Sequence, residues 1–160
     1  MTSVKILCLG KLKEPYLREA CAEYQKRLTP FCKLTIIEKT PERLPSDPSQ
    51  AQIDAALKAE GRALLAEIPA GAHVYCLCIE GKQRSSEQFS AELDRIAVSG
   101  KSTVVFVIGS SYGLAPEVKA SADVKLSMSQ MTFPHQLARV MLLEQLYRAY
   151  QIGRGGKYHK

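Results

Sequence analysis

The sequence predicts an α/β fold, a mostly parallel sheet covered by helices. Three observations predict it. Short β-branched apolar runs alternate with longer stretches of helical spacing along the whole chain, the order that crossover connections turn into parallel strands. One run, HVYCLCI at residues 73–79, is apolar almost throughout, as a strand covered on both faces must be. Proline or glycine stands at most of the boundaries between runs, where each ends or restarts the regular backbone. At 160 residues the chain is long enough for one domain with a real hydrophobic core, and it holds no internal repeat, linker or low-complexity stretch.

The elements follow in order. Val4 to Leu9 is a short apolar strand ending at Gly10, with Lys5, Lys11 and Lys13 around it. Pro15 opens a helix in which Tyr16, Ala20 or Cys21, Tyr24 and Leu28 recur at helical spacing, and Pro30 stops it. Residues 33–39 (KLTIIEK) form a second strand. TPERLPSDPSQ, with Pro41, Pro45 and Pro48, is a long loop expected to be mobile. Ser49 or Gln50 leads into a helix over residues 51–68, in which Gly61 is a mild defect. After the strand at 73–79, Glu80-Gly81-Lys82 turns the chain, and Ser85 or Ser86 caps the helix SEQFSAELDRIAVSG. STVVFVIG gives a strand at 103–108 ending in Gly109. The turn Ser110 to Gly113, a helix in LAPEVKASAD, and a strand at 124–128 follow.

The last helix is the longest. Pro134 suits a first helical position, where its missing N–H is not needed, and Gly153, Gly155 and Gly156 end it. Leu137, Val140, Met141, Leu142, Leu143, Leu146 and Tyr147 cover most of its circumference. A surface helix needs one apolar stripe, so this one needs a second partner besides its own sheet, and a symmetric copy of the chain is the simplest. Glu144 and Arg148, four residues apart, can pair on one face.

Composition narrows the function classes. No apolar run reaches membrane-spanning length and the first residues carry no signal-peptide pattern, so a cytoplasmic protein is expected. The five cysteines (Cys8, Cys21, Cys32, Cys76 and Cys78) form no C-x-x-C pair, which predicts buried thiols and no metal site. The net charge is +6. Residues 1–33 hold seven Lys/Arg against three Asp/Glu, and residues 134–160 hold five against one, so both ends are basic around a slightly acidic centre. On one surface they would face a polyanion.

Ligands of open α/β sheets collect at the carboxyl ends of strands. Three such ends stand out: Leu77 to Gly81, Gly109 to Gly113, and Ser127 to Phe133. Glycine at 109 would let a ligand approach the backbone. The loop Met128-Ser129-Gln130-Met131-Thr132-Phe133 offers backbone polar groups beside methionine surface, a combination suited to a flat heterocycle such as adenine. No G-x-G-x-x-G or P-loop pattern is present, and no Ser–His–Asp arrangement is readable. His135 falls in the first turn of the long helix, and Tyr158 and His159 lie in a basic tail expected to be flexible.

VFVIGSSYGL followed by LSMSQMTFPHQLARVMLLEQLYRAYQIGRGGKYHK closely resembles the RlmH family of SPOUT-class methyltransferases, and VKILCLGKLKEPYLREACAEYQKRL and LCIEGKQRSSEQF resemble it too. The resemblance implies a single SPOUT domain over residues 1–160, with a trefoil knot in the region of about 73–155 and a basic tail at 153–160. It implies S-adenosyl-L-methionine as donor, a homodimer, and methylation of N3 of a pseudouridine in 23S rRNA on the assembled ribosome. It places donor contacts at Leu77, Gly109, Met128, Ser129, Gln130, Met131, Thr132 and Phe133. Where the family commonly has Gly-Gly this chain has Gly109-Ser110, which would strain the turn if the second position needed a positive φ. For loss of the N3 proton, His159 and Arg154, with Tyr158 as a stacking or hydrogen-bonding group, are the first candidates, followed by Arg148 and Arg139, the tail ordering over bound RNA. The rival readings are a SPOUT enzyme with another RNA target, a non-catalytic ribosome-binding protein, and a small-molecule α/β enzyme.

Overall fold

The computed structural model describes residues 1–160. Five parallel strands form one sheet: β1 (Ser3–Leu9), β2 (Lys33–Lys39), β3 (His73–Gln83), β4 (Thr103–Val107) and β5 (Val124–Ser127), in the order β2-β1-β4-β3-β5. The helices are α1 (Pro15–Leu28), α2 (Gln50–Leu65), α3 (Ser86–Val98), α4 (Pro116–Ser121) and α5 (His135–Gly153). No helix is long and apolar enough to cross a membrane.

Alternation along the strands divides the core in two. Ile6, Cys8, Tyr75 and Phe106 point to the face covered by α1, α3 and α5, where Leu28, Leu93, Leu142, Leu143 and Leu146 meet them. Leu7, Leu9, Val74, Cys76, Val105 and Val107 point to the other face, against Leu64 of α2 and Val118 of α4. Successive side chains of a strand point to opposite faces, so both must be apolar, and this accounts for the unbroken run at 73–79. The two faces also set the hand of the connections. Steps toward the β2 edge pass over the α1/α3 face and steps toward the β5 edge over the α2/α4 face, so all four crossovers share one hand.

Caps mark the helix starts. Ser49 and Ser85 each accept from the backbone N–H three residues on, and Gln52 and Gln88 reach back to the cap N–H, two complete capping boxes. Pro134 stands at the N-cap of α5, one position earlier than its sequence context predicts. Residues 40–48 contain no helix or strand, but the Glu42 N–H donates to Glu60 of α2 at 3.0 Å. Four of the five thiols are buried, and burial pushes Cys8 and Cys32 up to about 11 and Cys76 to about 12, so they stay protonated at neutral pH.

One predicted turn is a strand. Glu80-Gly81-Lys82 lies inside β3, which runs past an irregularity so that Leu126 of β5 faces both Leu77 and Lys82. Gly81 permits this because a Cβ there would stand 2.5 Å from the Lys125 carbonyl oxygen. Its glycine serves close strand approach, not a change of direction.

Candidate active site

The carboxyl ends of β3, β4 and β5 open into a cleft of about 700 Å³, the size of a small-molecule site. Leu77 to Glu80 supply one wall, Ile108 to Leu114 a second, and Met128, Ser129, Met131 to His135 and Ala138 the third. Seven of the eight predicted donor-contact residues line it: Leu77, Gly109, Met128, Ser129, Met131, Thr132 and Phe133. Gln130 is exposed and outside the lining.

Each wall has a local cause. The Ser110 N–H donates to the Gly113 carbonyl at 3.2 Å and the Gly113 N–H to the Ser110 carbonyl at 2.9 Å, so the second wall is a closed turn. Gly113 takes the left-handed conformation, with φ +88. Gly109 is needed for space: a Cβ there would overlap the Gly113 carbonyl. Ser110 is unstrained, since no residue other than glycine has positive φ. In the third wall Ser127 Oγ donates to the Ser129 carbonyl at 2.9 Å, and the Met131 N–H donates to Ser129 Oγ at 3.0 Å. Those bonds fold 127–131 locally while the chain crosses from β5 to α5.

The cleft carries little free charge. Of its lining, only Glu80 and Lys119 are charged at neutral pH, and they pair with each other at 2.5 Å. That pair holds the Glu80 carboxyl below its ordinary value. His135 also lines the cleft, and burial, helped by the nearby Arg139, lowers its pKa, so the imidazole is uncharged at pH 7. Nothing in the local pattern around Lys119 points to the cleft; α4 brings it back from 39 residues beyond Glu80.

The tail residues lie elsewhere. Ser86 meets Gln145 at 2.8 Å and Ser90 meets the Ala149 carbonyl at 2.6 Å, so α3 and α5 run side by side in the same direction, away from the cleft. Arg148 is thirteen residues beyond His135, about 20 Å along the helix axis. There the tail folds back. His159 Nε2 lies 2.6 Å from Glu87, and its Nδ1 lies 3.1 Å from Arg148. The Tyr158 hydroxyl donates to Glu144 at 3.2 Å, and Arg148 bonds the same Glu144 oxygen at 2.6 Å. Arg154 sits over the Phe31 ring at 4.3 Å and donates to the Pro30 carbonyl. None of Tyr158, His159 and Arg154 lines the cleft of its own chain, and Tyr158 and His159 pack against α5 and α3. Arg139 lies inside the fold. It is 3% exposed, with one guanidinium nitrogen on Glu38 at 2.7 Å and another on the Gly10 carbonyl at 3.0 Å.

A family model described as "Predicted SPOUT methyltransferase" matches residues 2–159. The chain belongs to the SPOUT methyltransferase family. It is 52% identical over 157 residues to a protein of Exiguobacterium sibiricum named ribosomal RNA large subunit methyltransferase H, covering 98% of this chain and 99% of that one. Proteins of the same name from Bacillus thuringiensis and Bacillus cereus are each 49% identical over 158 residues, covering 99% of both chains. The methyl donor of SPOUT methyltransferases is S-adenosylmethionine, and the cleft suits it. Eleven of the 21 lining residues are hydrophobic, matching an adenosyl group, while the serine and threonine hydroxyls and the Glu80–Lys119 pair offer polar partners to the donor's charged end.

Proposed function

We propose that this SPOUT methyltransferase is a cytoplasmic homodimer that methylates N3 of a pseudouridine in 23S rRNA, acting on the assembled ribosome. The observation that carries the substrate is full-length identity of about half with proteins named for methylation of large-subunit rRNA. The basic balance of the chain, +6, favours a polyanionic partner. The fold is read as one domain over 1–160, with the segment after β5 threaded in a trefoil knot within about 73–155 and the basic tail at 153–160.

The donor is held by Leu77, Gly109 and the segment Met128–Phe133, with Gln130 at the exposed rim. S-adenosylmethionine supplies a methyl group already made electrophilic by its sulfonium, so the protein's part is positioning and help with the N3 proton. His159, Arg154 and Tyr158 are the residues assigned to that help, by taking the proton or stabilising the anion left behind. Their place on the far part of α5 requires that a partner subunit supply them. The apolar residues exposed at the cleft mouth and the start of α5, Met131 at 74%, Ile79 at 51%, Tyr112 at 49% and Leu137 at 41%, support a second chain covering that side.

Mass spectrometry of 23S rRNA from cells lacking the gene tests the reading. One methyl on a pseudouridine should be missing and return with the intact gene, and an unchanged methylation pattern would overturn the assignment. His159→Ala with normal donor binding and normal turnover would remove that residue from the mechanism.

A further inference from the structure

The β1–α1 loop and the first turn of α1 make a basic segment that carries an exposed aromatic ring, and nothing within the chain uses these features. Tyr16 is 68% exposed, the most exposed large ring in the molecule. Its hydroxyl makes no hydrogen bond and its ring joins no aromatic or cation pair. Lys11 and Lys13 are exposed and form no ion pair. Arg18, in the first turn of α1, is spent on the loop backbone: it donates to the Leu12 carbonyl at 3.0 Å and the Lys13 carbonyl at 2.7 Å. Leu12 is buried beneath, so the loop is held from inside while its lysines and Tyr16 face out. Glu14, between them, is the only carboxylate in residues 11–18 and makes no capping bond.

Two ties bind this loop to the cleft. β1 pairs with β4 in register, Leu7 opposite Val107, and the Ile108 N–H donates to the Leu7 carbonyl. Leu7, three residues before Gly10, therefore lies about one strand spacing, roughly 4.8 Å, from the end of β4 that opens the cleft. Arg139, next to the cleft-lining Ala138, donates to the Gly10 carbonyl itself.

We infer that Lys11, Lys13 and Tyr16 form an RNA-docking platform beside the donor cleft, the lysines on phosphates and the Tyr16 ring under an unpaired base flanking the target. The inference rests on the rRNA reading above. A base methylated on an edge used for pairing must be out of its stack, and its neighbours need a surface. Lysines answer the phosphates and an exposed ring answers a base of any identity, so the partner's chemistry is single-stranded RNA. The loop is held from inside, so little order has to be imposed when RNA arrives.

Ribosomes purified from cells lacking the gene serve as the probe, with full-length protein and labelled S-adenosylmethionine. Y16A should weaken ribosome affinity by roughly 5–150-fold, the range of lost base stacking, with Y16F close to the unsubstituted protein. K11A/K13A should reduce the slope of log affinity against log salt by about 1–2. Donor affinity by calorimetry and the melting temperature should stay unchanged, because these side chains have no partners to lose. Variants that bind ribosomes as tightly as the unsubstituted protein, with the same salt slope, would overturn the platform while the rRNA reading stands. Loss on whole ribosomes with no loss on protein-free 23S rRNA would mean the loop meets a ribosomal protein, and would also overturn it. No methyl transfer to ribosomes by the unsubstituted protein would overturn the rRNA reading first and the platform with it.

Discussion

Gly109 and Ser110 sit side by side, yet opposite rules govern them. Gly109 has no unusual φ, and what it lacks is room, because the carbonyl of Gly113 occupies the place of a side chain. That carbonyl accepts the Ser110 N–H that closes the turn, so it cannot retreat without opening the cleft wall. Gly109→Ala is expected to lower stability by about 1–3 kcal/mol, as overpacking does, and to weaken S-adenosylmethionine binding at least about tenfold in calorimetry, the factor that 1.4 kcal/mol represents. Ser110→Gly should lower stability by at most about 1 kcal/mol in thermal unfolding, through the added freedom of the unfolded chain. The sequence names both residues but not which neighbour each meets. Arg139 makes the same point: the sequence offers it among the candidates for the N3 proton, while its two acceptors, 101 and 129 residues away, tie β1, β2 and α5 together.

Among the elements, α2 shows how packing reverses a propensity rule. Gly61 is a helical weak point by composition, and alanine there would ordinarily gain about 1 kcal/mol. In the structure Gly61 is buried where α2 crosses α4, and a Cβ would stand 3.0 Å from Val118 Cγ2 and 3.2 Å from Ala115 Cβ. Val118 is fully buried and Ala115 nearly so, so neither can yield. Overpacking of about 1–3 kcal/mol exceeds the propensity gain, and Gly61→Ala is expected to lower the melting temperature. β3 and α3 are joined by a different device. Tyr75, fully buried and stacked on Phe106 at 4.8 Å, donates its hydroxyl to Glu92 at 2.7 Å, and Arg84 meets the other Glu92 oxygen at 2.6 Å. Burial by itself would raise the Glu92 carboxyl, but the bonds from Arg84 and Tyr75 outweigh it and hold the carboxyl below its usual 4.5. A carboxyl lowered in the folded state stabilises fully above its unfolded value and loses that contribution as pH falls through its folded one. Unfolding in denaturant should therefore show stability declining below about pH 4.5, with a shallower decline in Glu92→Gln. An acid limb unchanged by that substitution would remove Glu92 from the account.

On the scale of the whole molecule, the unsettled surface is the one around the cleft mouth. Leu137 points outward from the first turn of α5 although the rest of the helix is packed between α1 and α3. If a second copy covers it, Leu137→Glu should turn a dimer into a monomer in sedimentation equilibrium and reduce methyl transfer more than tenfold, with the fold intact by circular dichroism. A monomeric unsubstituted chain that still transfers methyl groups would sink the dimeric reading, and with it the assignment of the tail to a partner's cleft.

The order of strands and helices, their near-complete boundaries, the doubly covered sheet and the three strand ends that build the cleft were all legible before any coordinates. The reason is that these properties follow from local periodicity, from caps within four residues, and from the rule that loops at strand carboxyl ends gather ligands. The tertiary structure alone decided matters set by residues far apart in the chain. It placed β4 between β1 and β3, continued β3 through Glu80-Gly81-Lys82 to pair again with β5, brought Lys119 to Glu80, and laid the tail along α5 away from its own cleft. Which partner a strand, a buried charge or a chain end meets depends on packing across the whole sheet, and no local window of sequence contains both members of such a pair.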